Sequence, residues 1–356
     1  MSKIKKEVAV IIPTYKAHKT IKRTLSSLAN QFGVSYKVYV VVDGEPIGSY
    51  DYLLDIFNFI DIAILYKPDN SGPGMTRQYA IEHTKEPFIT FVDADDILLN
   101  VNALVTMRAN FEDKDIMIIT PFYQEMEDGS FRLRESSCLT WMHGKMYRRS
   151  FIKKYKIHFN KDYSYSNEDA GFNSMVGLVA DSVNERIKSL TKEAATYAQL
   201  KNPNSITNNN NREFSRSTIN IEGFVYNKLH AFDYAVNKLH ILDDGIREAA
   251  VRSMCHIYIN YVGINQDVDG YEARVDELAK ISLKEYAKIY VGLAQEKIEE
   301  IEKDLILSSG YSYLAYIQWK DKIANMLDME EKEKKWKENP SLRKKIMPQN
   351  YKNFAH

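Results

Sequence analysis

The chain has 356 residues, 44% of them hydrophobic and 27% charged, which is enough apolar material for a sizeable core and excludes a disordered or fibrous protein. Its 48 Lys and Arg balance 48 Asp and Glu, so the basic excess of a dedicated nucleic-acid binder is missing. Two cysteines, Cys138 and Cys255, exclude a disulfide scaffold or a cysteine zinc site and fit a reducing cytoplasm.

In chain order, Lys residues precede an apolar run over 8–12 that Pro13 stops, too short for a secretory signal. No later stretch approaches the about 20 apolar residues of a membrane-spanning helix. The expectation is a soluble cytoplasmic protein, with any membrane association peripheral at the inner face. Residues 8–12 predict a first strand, and Ile21, Leu25 and Leu28 predict one helix face over 20–28. A second buried strand over 38–42 ends at Asp43-Gly44. A helix-like stretch over 52–59 and a short strand over 62–65 follow. Residues 70–74 read as a turn-rich loop, 76–83 as the start of a helix, and 88–92 as a strand that delivers Asp93-Ala94-Asp95-Asp96. Short buried strands alternating with helices predict an α/β fold with a mostly parallel sheet and helices on both faces.

Residues 116–120 are another β-rich segment, and 140–151 mix aromatic with basic residues. The polar run within 201–216, NPNSITNNNNREFSR, reads as a linker or mobile loop. Residues 219–261 and 272–305 lack strand alternation and predict helices, and the charged tail near 330–345 predicts a solvated helix end.

Four constellations carry chemistry. Side chains alternate along an extended backbone, which predicts Asp93 and Asp95 on one side of the edge where open parallel sheets bind ligands. Two carboxylates there suit Mg²⁺ or Mn²⁺ bridged to a phosphate; capping of a helix from Ile97 by Asp95 or Asp96 is the plainer reading. Pro13-Thr14-Tyr15 and Asp43 leave two further strands at that edge, where a ring can stack on a nucleobase and a carboxylate can accept a base N–H. Packing for Tyr15 and a turn before Gly44 for Asp43 are the ordinary alternatives. The segment Asn70-Ser71-Gly72-Pro73-Gly74-Met75-Thr76-Arg77 is neither a Walker A loop nor a dinucleotide fingerprint. Arg77 stands early in a helix against the dipole preference, as a residue facing a ligand phosphate or the nearby carboxylates does; an ordinary surface arginine is the other reading. Ser166-Asn167-Glu168-Asp169 precedes an apolar helical stretch, either as a helix start capped by Ser166 or Asn167 or as the place of a general base.

In order, PTY, VVDG, NSGPGMTRQ, FVDADD and NED resemble the family 2 glycosyltransferases of GT-A fold, closely over residues 1–100 and more loosely to about 215. WMHGKMYRRSF is similar to the family's stretch before its acidic pair, and Asn204-Ser205-Ile206-Thr207 to the segment that closes the catalytic domain in bacterial members. The resemblance implies a catalytic domain over 1–215, with a nucleotide-sugar-binding half (1–100) and an acceptor half (101–215). A helical domain over 216–356 would follow, for acceptor binding or homo-oligomerisation. It implies inverting transfer from a nucleotide-diphosphate sugar, most often UDP-linked, with Mn²⁺ or Mg²⁺. Tyr15 and Asp43 would hold uracil, Pro13 and Thr14 would shape its pocket, and Asn70, Gly72 and Arg77 would lie at the donor. Asp93 would contact the ribose or the metal, and Asp95 would bind the metal. Asp169 would deprotonate the acceptor hydroxyl, with Glu168 orienting the acceptor or capping the helix. Trp141, His143 and Lys145 would line the acceptor side; a packed Trp and a surface His are the ordinary readings, and a metal ligand is the remote one for His143. Gln78 where the family usually has Asn, and Glu45-Pro46 after Asp43, depart from the pattern and leave open which base is read.

The implied acceptor is a cell-envelope polymer or glycan, the alternative a modified DNA base as in phage enzymes. A nucleotidyltransferase usually has a Gly-rich basic signature after the first strand, where this chain has Tyr15-Lys16-Ala17. A non-catalytic nucleotide-sugar-binding scaffold has no need of the full set of acids present here.

Overall fold

The computed structural model describes residues 6–135, 139–202, 214–263 and 270–338. The elements run β1 (Val8–Thr14), α1 (Ile21–Ala29), β2 (Tyr36–Asp43), α2 (Tyr52–Ile56), β3 (Ile62–Lys67), α3 (Gly72–His83), β4 (Phe88–Phe91), β5 (Ile97–Leu98) and α4 (Ala103–Ala109). They continue with β6 (Asp115–Ile119), β7 (Phe122–Glu125), β8 (Phe131–Arg134), β9 (Lys145–Arg148), α5 (Arg149–Lys154), α6 (Glu168–Ser182), β10 (Arg186–Ser189), β11 (Tyr197–Gln199) and α7 (Phe214–Asp233). Last come α8 (Asp244–Gly263), α9 (Tyr271–Tyr290), α10 (Gln295–Ser308) and α11 (Tyr313–Glu338). The chain divides into two compact units, residues 1–246 and 247–356.

In the first unit the apolar runs become the middle of a seven-stranded sheet, ordered β10-β6-β9-β4-β1-β2-β3. β1 lies parallel to both β2 and β4, with Ile11 opposite Tyr39 on one side and Phe91 on the other. Val8 to Ile12 are fully buried because helices cover both faces of a parallel sheet, which is why such strands read as unbroken apolar runs. β9 runs antiparallel between β4 and β6, so the sheet is mixed there. A smaller sheet, β5-β11-β7-β8, stands beside it. The result is an α/β fold with a mostly parallel sheet, followed by helices.

Three local expectations change. β1 continues through Pro13 to Thr14; Pro13 lies beyond the last β1–β4 pair, at the open end of the strand, where a missing donor is tolerated. α3 begins at Gly72, inside the segment read as a loop, and Gly72 takes the left-handed φ of 83° that starts it. Ile97 opens β5 and not a helix, so Asp95 and Asp96 cap nothing.

The first compact unit runs past residue 216 and takes in α7. The reason is the packing of α7 on α6. Gly171 of α6 has no room for a Cβ, which would stand 2.8 Å from Asn227 Cβ of α7. The second unit holds the remainder of α8 with α9, α10 and α11, around Met254, Cys255, Tyr286, Tyr316 and Ile323. Asn204-Ser205-Ile206-Thr207 and Cys138 lie outside the described residues. Among those described, no helix is long and apolar enough to cross a membrane.

Candidate active site

Strands β1, β2 and β4 end at one edge of the large sheet, and the expected site residues gather there and on the helices behind it. Asp43 closes β2 fully buried. One carboxylate oxygen accepts the backbone N–H of Ser71 at 3.1 Å and faces Lys67 Nζ at 3.0 Å, and the other accepts Gly72 N–H at 2.9 Å. These amides open α3, so Asp43 satisfies orphan donors of a helix N-terminus and complements its dipole. Gly44, at a φ of 75°, passes so close to this loop that a Cβ would fall 2.3 Å from Asn70 N. Asn70 itself accepts the Tyr165 hydroxyl at 2.9 Å. Tyr15 is 48% exposed beside these groups, with Lys16 Nζ 5.0 Å from its ring centroid, while Thr14 is buried and donates to Ile12 O. The exposed ring and the buried carboxylate therefore share the edge but differ in availability.

The strand argument for Asp93 and Asp95 does not hold. β4 ends at Phe91, and the chain then turns, with Asp96 N–H donating to Asp93 O at 3.0 Å. In a turn the period-2 alternation is lost. Asp93 faces Arg77 and His143, Asp96 accepts the Tyr197 hydroxyl at 2.6 Å and Leu200 N–H at 2.8 Å, and Asp95 accepts Asn202 Nδ2 at 2.8 Å.

Arg77 is the hub. Only 4% exposed, it sends Nη2 to Asp93 Oδ1 at 2.6 Å and Nη1 to Glu168 Oε1 at 2.7 Å. Burial opposes its charge, but Asp93, Glu168 and Asp169 outweigh burial and raise its pKa. For Asp93, burial pushes the carboxyl up, while Arg77 and His143 together hold it well below the usual range. Asp169, next to Glu168, accepts the adjacent Ala170 N–H at 2.8 Å. Burial, then the Glu168 charge, raise its pKa to about 7 against the pull of Arg77. A carboxylate poised near neutrality is what a general base needs. Asn167, at the N-cap of α6, makes no side-chain cap and is left-handed, with φ 50°.

His143 places Nε2 3.5 Å from Asp93 Oδ2 and 3.7 Å from Asp96 Oδ2. Asp93, Asp96 and His143 are the one group of three whose ligand atoms come within 4.8 Å of one another among the described residues. Asp95 is outside that group. Burial and the Asp93 charge raise the pKa of Asp95, and burial with Asp93 and Asp95 raises that of Asp96. His143 Nδ1 is buried with no partner among the described residues. Two carboxylates and an imidazole suit a divalent cation, and the nitrogen favours Mn²⁺ over Mg²⁺.

Of the expected acceptor residues, His143 joins this cluster and the other two do not open outward. Lys145 starts β9 buried and donates to Trp141 O, and the Trp141 ring packs edge-on against Phe122 at 5.6 Å. Tyr197, Asn202, Tyr147 and Asn173 escaped the sequence reading. Tyr197 ties Asp93 N–H to Asp96 through one hydroxyl, and Tyr147 donates to Asn173 Oδ1 at 2.7 Å. No local motif marks them; topology alone brings them to the acids.

The sequence matches the glycosyl transferase family 2 over residues 9–164. The poly(ribitol-phosphate) beta-N-acetylglucosaminyltransferase TarS of Staphylococcus aureus is 27% identical over 206 residues, 53% of this chain and 35% of that protein. The teichoic acid poly(glycerol phosphate) polymerase of Staphylococcus epidermidis is 24% identical over 185 residues, 44% of this chain and 24% of that one. The chain thus spans about a quarter to a third of the length of these curated relatives. The crystal structure of S. aureus TarS 1-349 superposes with a TM-score of 0.61 at 17% identity, covering 92% of this chain and 91% of that one, which establishes the shared fold. Residues 9–164 carry the match to glycosyl transferase family 2, and the rest of the chain lies outside it.

Proposed function

We propose that this chain transfers a sugar from a nucleotide-diphosphate sugar, UDP-linked, to a hydroxyl of a cell-envelope polymer, with inversion at the anomeric carbon. The observation that carries this reading is the Arg77 cluster: one buried guanidinium holds Asp93 and Glu168, and leaves Asp169 close to neutrality at its side. The acceptor class draws on the relatives, whose names place them on poly(ribitol-phosphate) and poly(glycerol phosphate).

The acceptor oxygen attacks the anomeric carbon as its O–H proton passes to Asp169. The bond from that carbon to the diphosphate oxygen breaks, and the nucleoside diphosphate leaves with the electron pair. Arg77 fixes Glu168 beside the base and Asp93 towards the donor edge. Asp93, Asp96 and His143, with Asp95 beside them, are the residues to hold a divalent cation, Mn²⁺ before Mg²⁺. Such a cation offsets negative charge that develops on a leaving diphosphate. Tyr15 is the exposed ring for a uracil to stack on, over the loop that Asp43 pins. The helices after α7 are assigned to acceptor binding or self-association.

Incubation with a panel of UDP-sugars, Mn²⁺ and a poly(polyol-phosphate) acceptor tests the reading through release of UDP. Acceptor-dependent UDP release supports it. Pyrophosphate release from a nucleoside triphosphate points to nucleotidyl transfer, and donor binding without turnover points to a scaffold.

A further inference from the structure

The Glu168–Asp169 pair lies past the end of the segment that defines the family in this chain, and it follows a loop, residues 163–167, gripped from two sides. On one side stands α3: Gly74 N–H donates to Ser164 O at 3.0 Å, and a Cβ on Gly72 would come within 2.8 Å of the same oxygen. Gly74 has no room either, since its Cβ would meet Glu168 Cγ at 2.9 Å. On the other side stands α7. Asn227, fully buried, donates both amide hydrogens to the loop, to Tyr163 O at 3.0 Å and to Ser166 O at 2.8 Å. Its Oδ1 has no partner among the described residues, so the amide serves the loop through its donors alone. A Cβ on Gly223 would stand 2.4 Å from Ser166 O. Tyr226 stacks on Tyr163 with centroids 4.6 Å apart, and the left-handed Asn167 donates Nδ2 to Asn220 O at 2.9 Å.

We infer that α7, through Asn227 and Gly223, positions the Glu168–Asp169 pair for the reaction, a role that rests on the function proposed above. Neither residue touches the Arg77 cluster, so both are positioning residues. They act by setting where the chain enters α6. The backbone groups Asn227 holds are in the loop that leads directly into Glu168. A helix outside the family's matched segment thereby decides the geometry of the base.

Two substitutions test this by different means. Asn227→Asp keeps the shape but turns both donors towards two carbonyls as acceptors, and Gly223→Ala keeps every hydrogen bond but drives a methyl group at Ser166 O. In wild type and both variants, donor-binding stoichiometry counts folded sites, kcat per site and KM are measured, and backbone hydrogen exchange is followed over residues 163–169. The expected result is a fall in kcat of about 10²-fold, the cost of roughly a 1 Å misplacement, with donor affinity nearly unchanged and exchange faster over 163–169. If both variants keep wild-type kcat and wild-type exchange, α7 does not position the pair. If the total rate falls only in proportion to lost donor sites while kcat per site stays at the wild-type value, α7 is structural support only. A wild type that turns over no sugar donor defeats the proposed function instead, and the exchange result still decides whether α7 holds the loop. Should Asn227→Asp fail to fold, Gly223→Ala carries the same comparison.

Discussion

Two buried charge clusters, one in each compact unit, show how differently a fold can use ionised groups. In the helical unit, Glu302 is buried with Lys320 and the Tyr316 hydroxyl, and Asp276 lies 2.8 Å from Lys322. Each buried acid there meets a lysine, and Lys322 also reaches the exposed Glu272 at 2.8 Å. Around Arg77, one guanidinium meets Asp93 and Glu168, with Asp169 alongside, and Asp95 and Asp96 follow in the next turn. The first arrangement is balanced and can persist as structure. The second carries an excess of carboxylates in a desolvated place, and such an excess is where perturbed acids and functional chemistry concentrate. Charge balance, more than burial, separates the two.

The sharpest way to break this comparison is to remove the hub. Arg77→Met leaves buried carboxylates without their cation, and stability should fall by about 3–5 kcal/mol together with all transfer, measured by denaturant unfolding and by UDP release. A variant as stable as wild type would show that the acids do not depend on Arg77.

The balanced cluster should respond less. Glu302→Gln keeps an acceptor for Tyr316 but leaves Lys320 without its partner, for a loss of about 1–3 kcal/mol with sugar-donor turnover unchanged. A loss of turnover as deep as that of Arg77→Met would mean the two clusters are not functionally distinct.

The smallest effect expected is a gain. An acid whose folded pKa is raised binds its proton more tightly in the folded state. Asp169 therefore favours folding below the ordinary carboxylate range, and that contribution is lost as pH rises to about 7. Asp169→Asn removes the charge, so the melting temperature of the variant relative to wild type should be higher at pH 8 than at pH 4. The opposite trend would show that the Asp169 charge is welcome in the fold. A functional acid that costs stability is the pattern expected where activity and stability are traded.

Much of the fold was legible because its chemistry is local. Residues such as Val8, Ile11 and Val40 announce a sheet covered on both faces, since no other environment tolerates unbroken β-branched runs so well. The acids after β4 were legible as a cluster and not as a geometry. The alternation argument needed an extended chain through Asp95, and the chain leaves β4 at Phe91 to make a turn. His143 entered the reading as an acceptor residue, and only the adjacency of β9 to β4 brings it to Asp93. Tyr197 and Asn202 act on Asp96 and Asp95 from a hundred residues further along the chain, a distance no spacing rule spans. The packing of α7 was hidden for a related reason. The Asn-rich run looks like a linker, but Gly171, Gly223 and Asn227 lock α7 to what precedes it, and close glycine contacts leave no periodic signal.

The central claim is that the surplus carboxylate at Arg77 is the base of the transfer reaction, and a pH–rate profile of wild type, Asp169→Asn and Glu168→Gln at saturating donor tests it most directly. The account predicts a wild-type rate that climbs with pH through about 7, as Asp169 loses its proton. Asp169→Asn should lose that climb and run about 10²–10⁴-fold slower with donor affinity intact, while Glu168→Gln keeps the climb at a reduced rate. An Asp169→Asn enzyme that retains near-wild-type rate and the same pH dependence, beside an inactive Glu168→Gln, would contradict it.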